Sequence, residues 1–127
     1  MLINISPTLS PDLLFHLRSM GHGEQLILAD ANFPSNKYNK NIIRLDGVNI
    51  PEAAEAILSV FPLDSFSVKN GNFSAYRMEV DNQPKKLTQT HKEFIKIVKK
   101  VSGKNWKVGS IEREEFYTIA KKAYCIV

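Results

Sequence analysis

The sequence predicts a single layered α/β domain with a mixed sheet. Three observations predict it. Short apolar strand-like runs alternate with amphipathic helical segments along the chain. Its 127 residues suit one hydrophobic core. No internal repeat, low-complexity tract or linker divides it. With 43% apolar and 24% charged residues, the composition is that of a folded globular protein.

The elements follow in order. Ser10 is the expected N-cap of the first helix, Pro11 suits its first position, and Gly21 is expected to end it in a left-handed conformation. Leu13, Leu14, Leu17 and Met20 form its inward stripe. Phe15 points roughly 170° away, an outward apolar side chain that hints at a subunit contact. Residues 26–29 read as a short buried strand ending at Asp30, and 32–36 as loop. Residues 42–45 give a second strand, closed by Asp46-Gly47. Pro51 opens a helix with Ala54, Ile57, Leu58 and Phe61 on one face, and Pro62 stops it. Residues 65–69 and 73–80 read as strands joined by a turn at Asn70-Gly71. Capping-box spacing over residues 90–93 marks the next helix, and Leu87 allows an earlier start. A strand over 106–111, a helix over 112–123 and an apolar strand over 124–127 complete the chain.

The net charge of +4 invites a nucleic-acid reading. Much of the excess lies on one helix, however. Phe94, Ile97, Val98 and Val101 share one side, while Lys92, Lys96 and Lys99 lie opposite, as on a solvated helical face. Aromatics do not interleave with the lysines, so no stacking platform for single strands is built. No apolar run approaches the roughly 20 residues of a membrane span. The N-terminal residues lack the basic and apolar regions of a secretory signal. The lone Cys125 excludes an internal disulfide and suits a reducing compartment, so a cytoplasmic location is expected.

Chemistry concentrates around His22, which lies between two glycines after a helix, and Asp30 at the end of the next strand. Glycines leave room for a ligand, and strand ends are where α/β folds form clefts. The excursion between the two residues is short enough to bring them near each other. Spacing alone favours the plainer alternative, a histidine at a helix end beside a turn aspartate. Arg113 and Tyr117, four apart, stack on one helical face and suit sugar hydroxyls; an arginine packed over a surface tyrosine fits them as well. His22, Glu24 and Asp30 match no recognised metal-ligand spacing. No phosphate-cradling glycine motif occurs. Cys125 reads as a buried, inert thiol, and His16 and His91 as structural or solvent-facing.

Five segments together carry more than any one of them: Gly21-His22-Gly23, Ala29-Asp30-Ala31-Asn32-Phe33-Pro34, Arg44-Leu45-Asp46-Gly47, Pro62-Leu63-Asp64 and Glu112-Arg113-Glu114-Glu115-Phe116-Tyr117. In order and spacing, over nearly the whole chain, they resemble the fucose mutarotase and ribose pyranase family. Asn32-Phe33-Pro34 is similar to the fucose mutarotase branch. The resemblance implies a three-layer α/β/α fold, homo-oligomers with sugar sites near subunit contacts, and interconversion of the anomers of L-fucose or a related monosaccharide without cofactor or metal. It implies His22 as the catalytic acid/base group and Asp30 and Arg113 as substrate-binding residues. Tyr117 matches a family tyrosine and joins that binding group. Family members continue beyond the strand matching residues 124–127 into a tyrosine-glycine-asparagine segment of the sugar site. The expectation is therefore a shortened domain over residues 1–127 with weakened activity. The alternatives are a sugar-binding or regulatory protein of the same fold and, remotely, a basic nucleic-acid-binding domain.

Overall fold

Ser10 starts the first helix, α1 (Pro11–Ser19), in the way its hydroxyl allows. In the computed structural model, which describes residues 2–69 and 71–127, its side chain accepts the Leu13 N–H at 3.2 Å. Leu13 and Leu17 are buried, Leu14 and Met20 pack against the same core, and Phe15 is 66% exposed, as the periodicity requires. The helix ends differently from expectation. Met20 leaves it in an extended conformation (φ −71°, ψ 139°), and the left-handed residue is Gly23, at φ 79°. The turn thus falls one residue after His22 rather than one before it.

β1 (Leu26–Ile27) pairs in parallel with β4 (Cys125–Ile126). On its other side, β4 is bridged at Ile126 by Ile42, with the Ile43 N–H donating to the Ile126 carbonyl at 2.9 Å. β4 is therefore flanked on both edges, which explains its unbroken apolar sequence. Residues 42–45 contribute this bridge rather than a full strand. Alternation along β4 separates two cores. Cys125 packs with Ile43 of the bridging segment, with Leu13 and Leu17 of α1, and with Ile57 of α3 (Ile50–Leu58). Ile126 packs with Ile27, Ala120 and Ala123, on the side of the last helix. The sheet so lies between helical layers, as the three-layer prediction requires.

The expected single mixed sheet resolves into two two-stranded parallel sheets among the described residues. The second joins β2 (Ala75–Met78) to β3 (Val108–Ile111). Parallel neighbours need a long crossover. Here it is α5 (Gln89–Ile97), extended by a π-helical turn over Val98–Ser102. α3 packs against α5 and that turn, burying Val98 completely and leaving Lys92, Lys96 and Lys99 exposed.

Three further details depart from the sequence reading. Ser65–Lys69 is a helix, α4, not a strand. Asp64 precedes it and accepts the Phe66 N–H on Oδ1 at 2.9 Å, a local bond that outweighs the β preference of Phe66 and Val68. Gly71 has φ 79°, while Asn70, the other half of the expected turn, lies outside the described residues. The capping box of α5 falls on Thr88 and His91, two residues earlier than the spacing of residues 90–93 indicates. α2 (Ser35–Tyr38) lies on α6 (Arg113–Lys122), which begins one residue after Glu112 and stops before Ala123. No described helix is long and apolar enough to cross a membrane.

Candidate functional site

Parallel strands end on the same side, and here their C-terminal ends build one cleft. β1 runs on to Asp30, β2 to Glu79 and Asp81, and β3 to Arg113 at the first position of α6. The β2–β3 pairing continues into this region, since the Glu79 N–H donates to the Ile111 carbonyl at 2.8 Å. The open cavity so formed, about 380 Å³, is lined by Asp30, Asp81, Arg113 and Tyr117 among others. Clefts at strand C-termini are the usual ligand sites of α/β folds, and the size suits a small molecule.

Asp30 is fixed by its own turn. Its Oδ1 accepts the Asn32 N–H at 2.8 Å, and its carbonyl accepts the Phe33 N–H at 3.0 Å. That turn seats Phe33 against Phe116 at 5.6 Å and 90° between rings, and against Tyr117 at 5.6 Å. Tyr38, at the end of α2, stacks on Tyr117 at 5.1 Å with the rings 11° apart. An aromatic wall thus stands beside the carboxylate.

Arg113 makes the i,i+4 contact its spacing predicts. Its Nε donates to the Tyr117 hydroxyl at 3.0 Å, and its Nη1 donates to Asp81 Oδ2 at 2.9 Å. The Tyr117 hydroxyl first and the Asp81 carboxylate second raise the arginine's pKa above its ordinary value. The cleft therefore carries a fixed cation, held in place by two partners. Asp81 was missed by sequence reasoning, because it sits 32 residues from Arg113. Its one sequence signal is the Asp81-Asn82 pair in the turn after β2, where Asn82 adopts φ 60°.

The structure brings Asp30, Arg113 and Tyr117 together and leaves His22 out of the cavity's lining. The His22 side chain is 83% exposed, with Nδ1 3.8 Å from Asp64 Oδ2. Its ring meets Phe66 edge-on at 5.3 Å. Glu24 closes the loop by accepting the Gly21 N–H at 2.7 Å, so it faces its own backbone rather than the cleft. Among the described residues no group of three His, Cys, Asp or Glu side chains is placed to hold a metal. Cys125 is fully buried, and burial first and the Asp12 charge second push its thiol pKa up to about 11. It is an inert core residue. His16 packs between Phe15 and Tyr124. His91, read as structural, caps α5 and also lines the cleft.

Comparison with known proteins places the chain among relatives of the same fold. The chain is 38% identical to the L-fucose mutarotase of Haemophilus influenzae over 128 residues, which is 100% of this chain and 85% of that protein. It is 39% identical to the fucose mutarotase of Danio rerio over 131 residues, covering 97% of this chain and 80% of that protein. Its fold superposes on the crystal structure of the fucose mutarotase from Streptococcus pneumoniae in complex with L-fucose with a TM-score of 0.84. That match has 36% identity and covers 99% of this chain and 86% of the other. Residues 3–127 match the RbsD / FucU transport protein family, and the chain belongs to that family.

Proposed function

We propose that this protein is a sugar mutarotase, interconverting the α and β anomers of L-fucose or a related monosaccharide. The observation that carries the reading is the meeting of Asp30, Arg113 and Tyr117 in one cleft of a chain from this family. A sugar presents a ring of hydroxyls that both donate and accept. A carboxylate that only accepts and a guanidinium that only donates are complementary to them.

The reaction opens the hemiacetal. The anomeric hydroxyl gives up its proton, the bond between the anomeric carbon and the ring oxygen breaks, and the ring oxygen takes a proton. The open-chain aldehyde then recloses on its other face with the proton movements reversed. Histidine suits this exchange because it ordinarily titrates near neutrality. His22 is assigned the proton transfers, and its exposure lets it exchange protons with water between them. Asp30 and Arg113 hold the hydroxyls, and Tyr117 orients Arg113 through its own hydroxyl.

The same reading has the chain assembling into homo-oligomers near the site. Phe15, Phe66 and Phe73 stand 66%, 58% and 39% exposed, and Phe66 is the ring against His22. Light scattering should give a mass well above 14.4 kDa at micromolar concentration.

Saturation-transfer NMR of anomer exchange in L-fucose, with ribose and galactose alongside, tests the activity. His22→Ala should lower the exchange rate at least about tenfold while the fold survives. Wild-type exchange in a folded His22→Ala protein would remove His22 from the mechanism. One observation favours a second reading, binding without turnover: His22 stands outside the lining of the cleft. L-fucose binding with no acceleration of exchange would establish that reading instead.

A further inference from the structure

The first turn of α5 borders the same cleft, and the way it is capped decides what its histidine can offer there. Thr88 Oγ1 accepts the His91 N–H at 3.2 Å, and His91 Nδ1 accepts the Thr88 N–H at 3.2 Å. Capping boxes usually place glutamate or glutamine at this position. A histidine does the same work and has a second ring nitrogen to spare. A ring nitrogen that accepts a hydrogen bond carries no proton, so the neutral imidazole must carry its proton on Nε2. The capping bond thereby fixes the tautomer.

The surroundings favour the neutral ring. Burial first and the Arg77 guanidinium on β2 second hold its pKa below the ordinary histidine value. His91 lines the cavity with the titratable groups Asp30, Glu79, Asp81, Arg113 and Tyr117. A protonated His91 would turn a second donor against the Thr88 N–H and break the cap.

We propose that His91 is a further substrate-binding residue, donating a hydrogen bond from Nε2 to an oxygen of the monosaccharide held in the cleft. The inference rests on the sugar reading above and adds a neutral donor from α5 to the charged groups supplied by the strand ends. Its sequence position hides this role, because the residue sits where a helix cap is expected.

The test compares L-fucose titrations of the wild type, His91→Glu and His91→Gln. Both variants retain an acceptor for the Thr88 N–H, so both keep the capping box. Only glutamine retains an N–H donor. His91→Glu should weaken L-fucose binding about five- to tenfold, the effect of losing one hydrogen bond of ordinary strength. His91→Gln should recover affinity to within about threefold of wild type. Nitrogen-15 shifts of the unliganded wild-type protein should place the His91 proton on Nε2. Equal affinity in wild type and His91→Glu, equal loss in both variants, or a proton on Nδ1 would each overturn the assignment while leaving the sugar reading intact. A wild-type protein that binds no monosaccharide would overturn the sugar reading and this inference with it.

Discussion

Asn39 ends α2 and ties the aromatic wall of the cleft to α6, so its substitution probes the scaffold without touching the cavity lining. Its Nδ2 donates to the Ala120 carbonyl at 3.0 Å and to the Ala123 carbonyl at 2.8 Å, and its Oδ1 accepts the Asn41 N–H at 2.9 Å. Those carbonyls belong to the end of α6, where no further helical turn supplies donors. Both residues are buried, at 0% and 8% exposure, so water replaces the lost donors poorly. Leaving a buried acceptor unpaired costs about 1–3 kcal/mol. Two acceptors at a partly buried amide put the cost of Asn39→Ala at about 2–4 kcal/mol.

Asn39→Asp is the sharper perturbation, because it preserves shape and the bond from Asn41. At neutral pH it sets a carboxylate, which only accepts, against two carbonyl oxygens. Its folded-state pKa is therefore raised above the unfolded value, and its stability deficit should shrink as the pH falls and the carboxyl regains a donor. Urea unfolding followed by circular dichroism at pH 7 and pH 3.5 measures both effects. In a chain of this length the cost corresponds to a fall in thermal midpoint of about 10 °C. An Asn39→Asp protein within about 0.5 kcal/mol of wild type at pH 7 would refute the assignment of weight to these bonds.

Three further outcomes are expected. Gly109→Ala should destabilise the β2–β3 pair by about 1–3 kcal/mol in urea, because the added Cβ would meet Phe73 Cδ2 at 2.6 Å and Tyr76 Cδ1 at 2.9 Å; an unchanged midpoint would show that both rings move aside freely. Cys125 is raised from 9.0 to about 11 in the folded state, so its contribution, about 3 kcal/mol, is complete below pH 9 and lost as the pH rises through 11; Cys125→Ala should lack that alkaline loss, and an identical pH profile would contradict it. Arg113→Ala should leave the unfolding midpoint nearly unchanged, since its ion pair with Asp81 is half exposed, yet weaken L-fucose binding roughly ten- to hundredfold; unchanged affinity in both Arg113→Ala and Asp30→Ala would place the sugar elsewhere.

What the sequence made legible was local. Ser10 and Pro11 open α1 and Pro51 opens α3, because a cap and a proline act within one turn. Arg113 and Tyr117 meet for the same reason, being four apart on one helix. Failures came where a nearby hydrogen bond outweighed propensity, as Asp64 does for α4, or where partners are distant in sequence. Asp81 reaches Arg113 across 32 residues, and Asn39 reaches Ala123 across 84. No period in the sequence encodes such contacts. His91 was read as structural or solvent-facing, and it does cap α5; that it also lines the cleft has no sequence pattern.

The bonds inside the cleft explain why its charged groups can serve a neutral ligand. Arg113 spends Nε on Tyr117 and one N–H of Nη1 on Asp81, which leaves the rest of its planar fork for a guest. Asp30 commits Oδ1 to the Asn32 N–H, which fixes the carboxylate's direction and leaves lone pairs free. Each group is therefore held before any ligand arrives, and little side-chain entropy remains to be lost on binding. The rings of Phe33 and Tyr117, with Tyr38 stacked on Tyr117, supply the complementary surface. A monosaccharide has hydroxyls around its edge and C–H groups on its face, so it needs both directional polar groups and an apolar plane. A nucleic acid would need an excess of cations, whereas the cleft sets the carboxylates of Asp30, Glu79 and Asp81 against the guanidinium of Arg113. The charge pattern of the cleft thus suits a small polyol better than a polyanion, although the whole chain carries a net charge of +4.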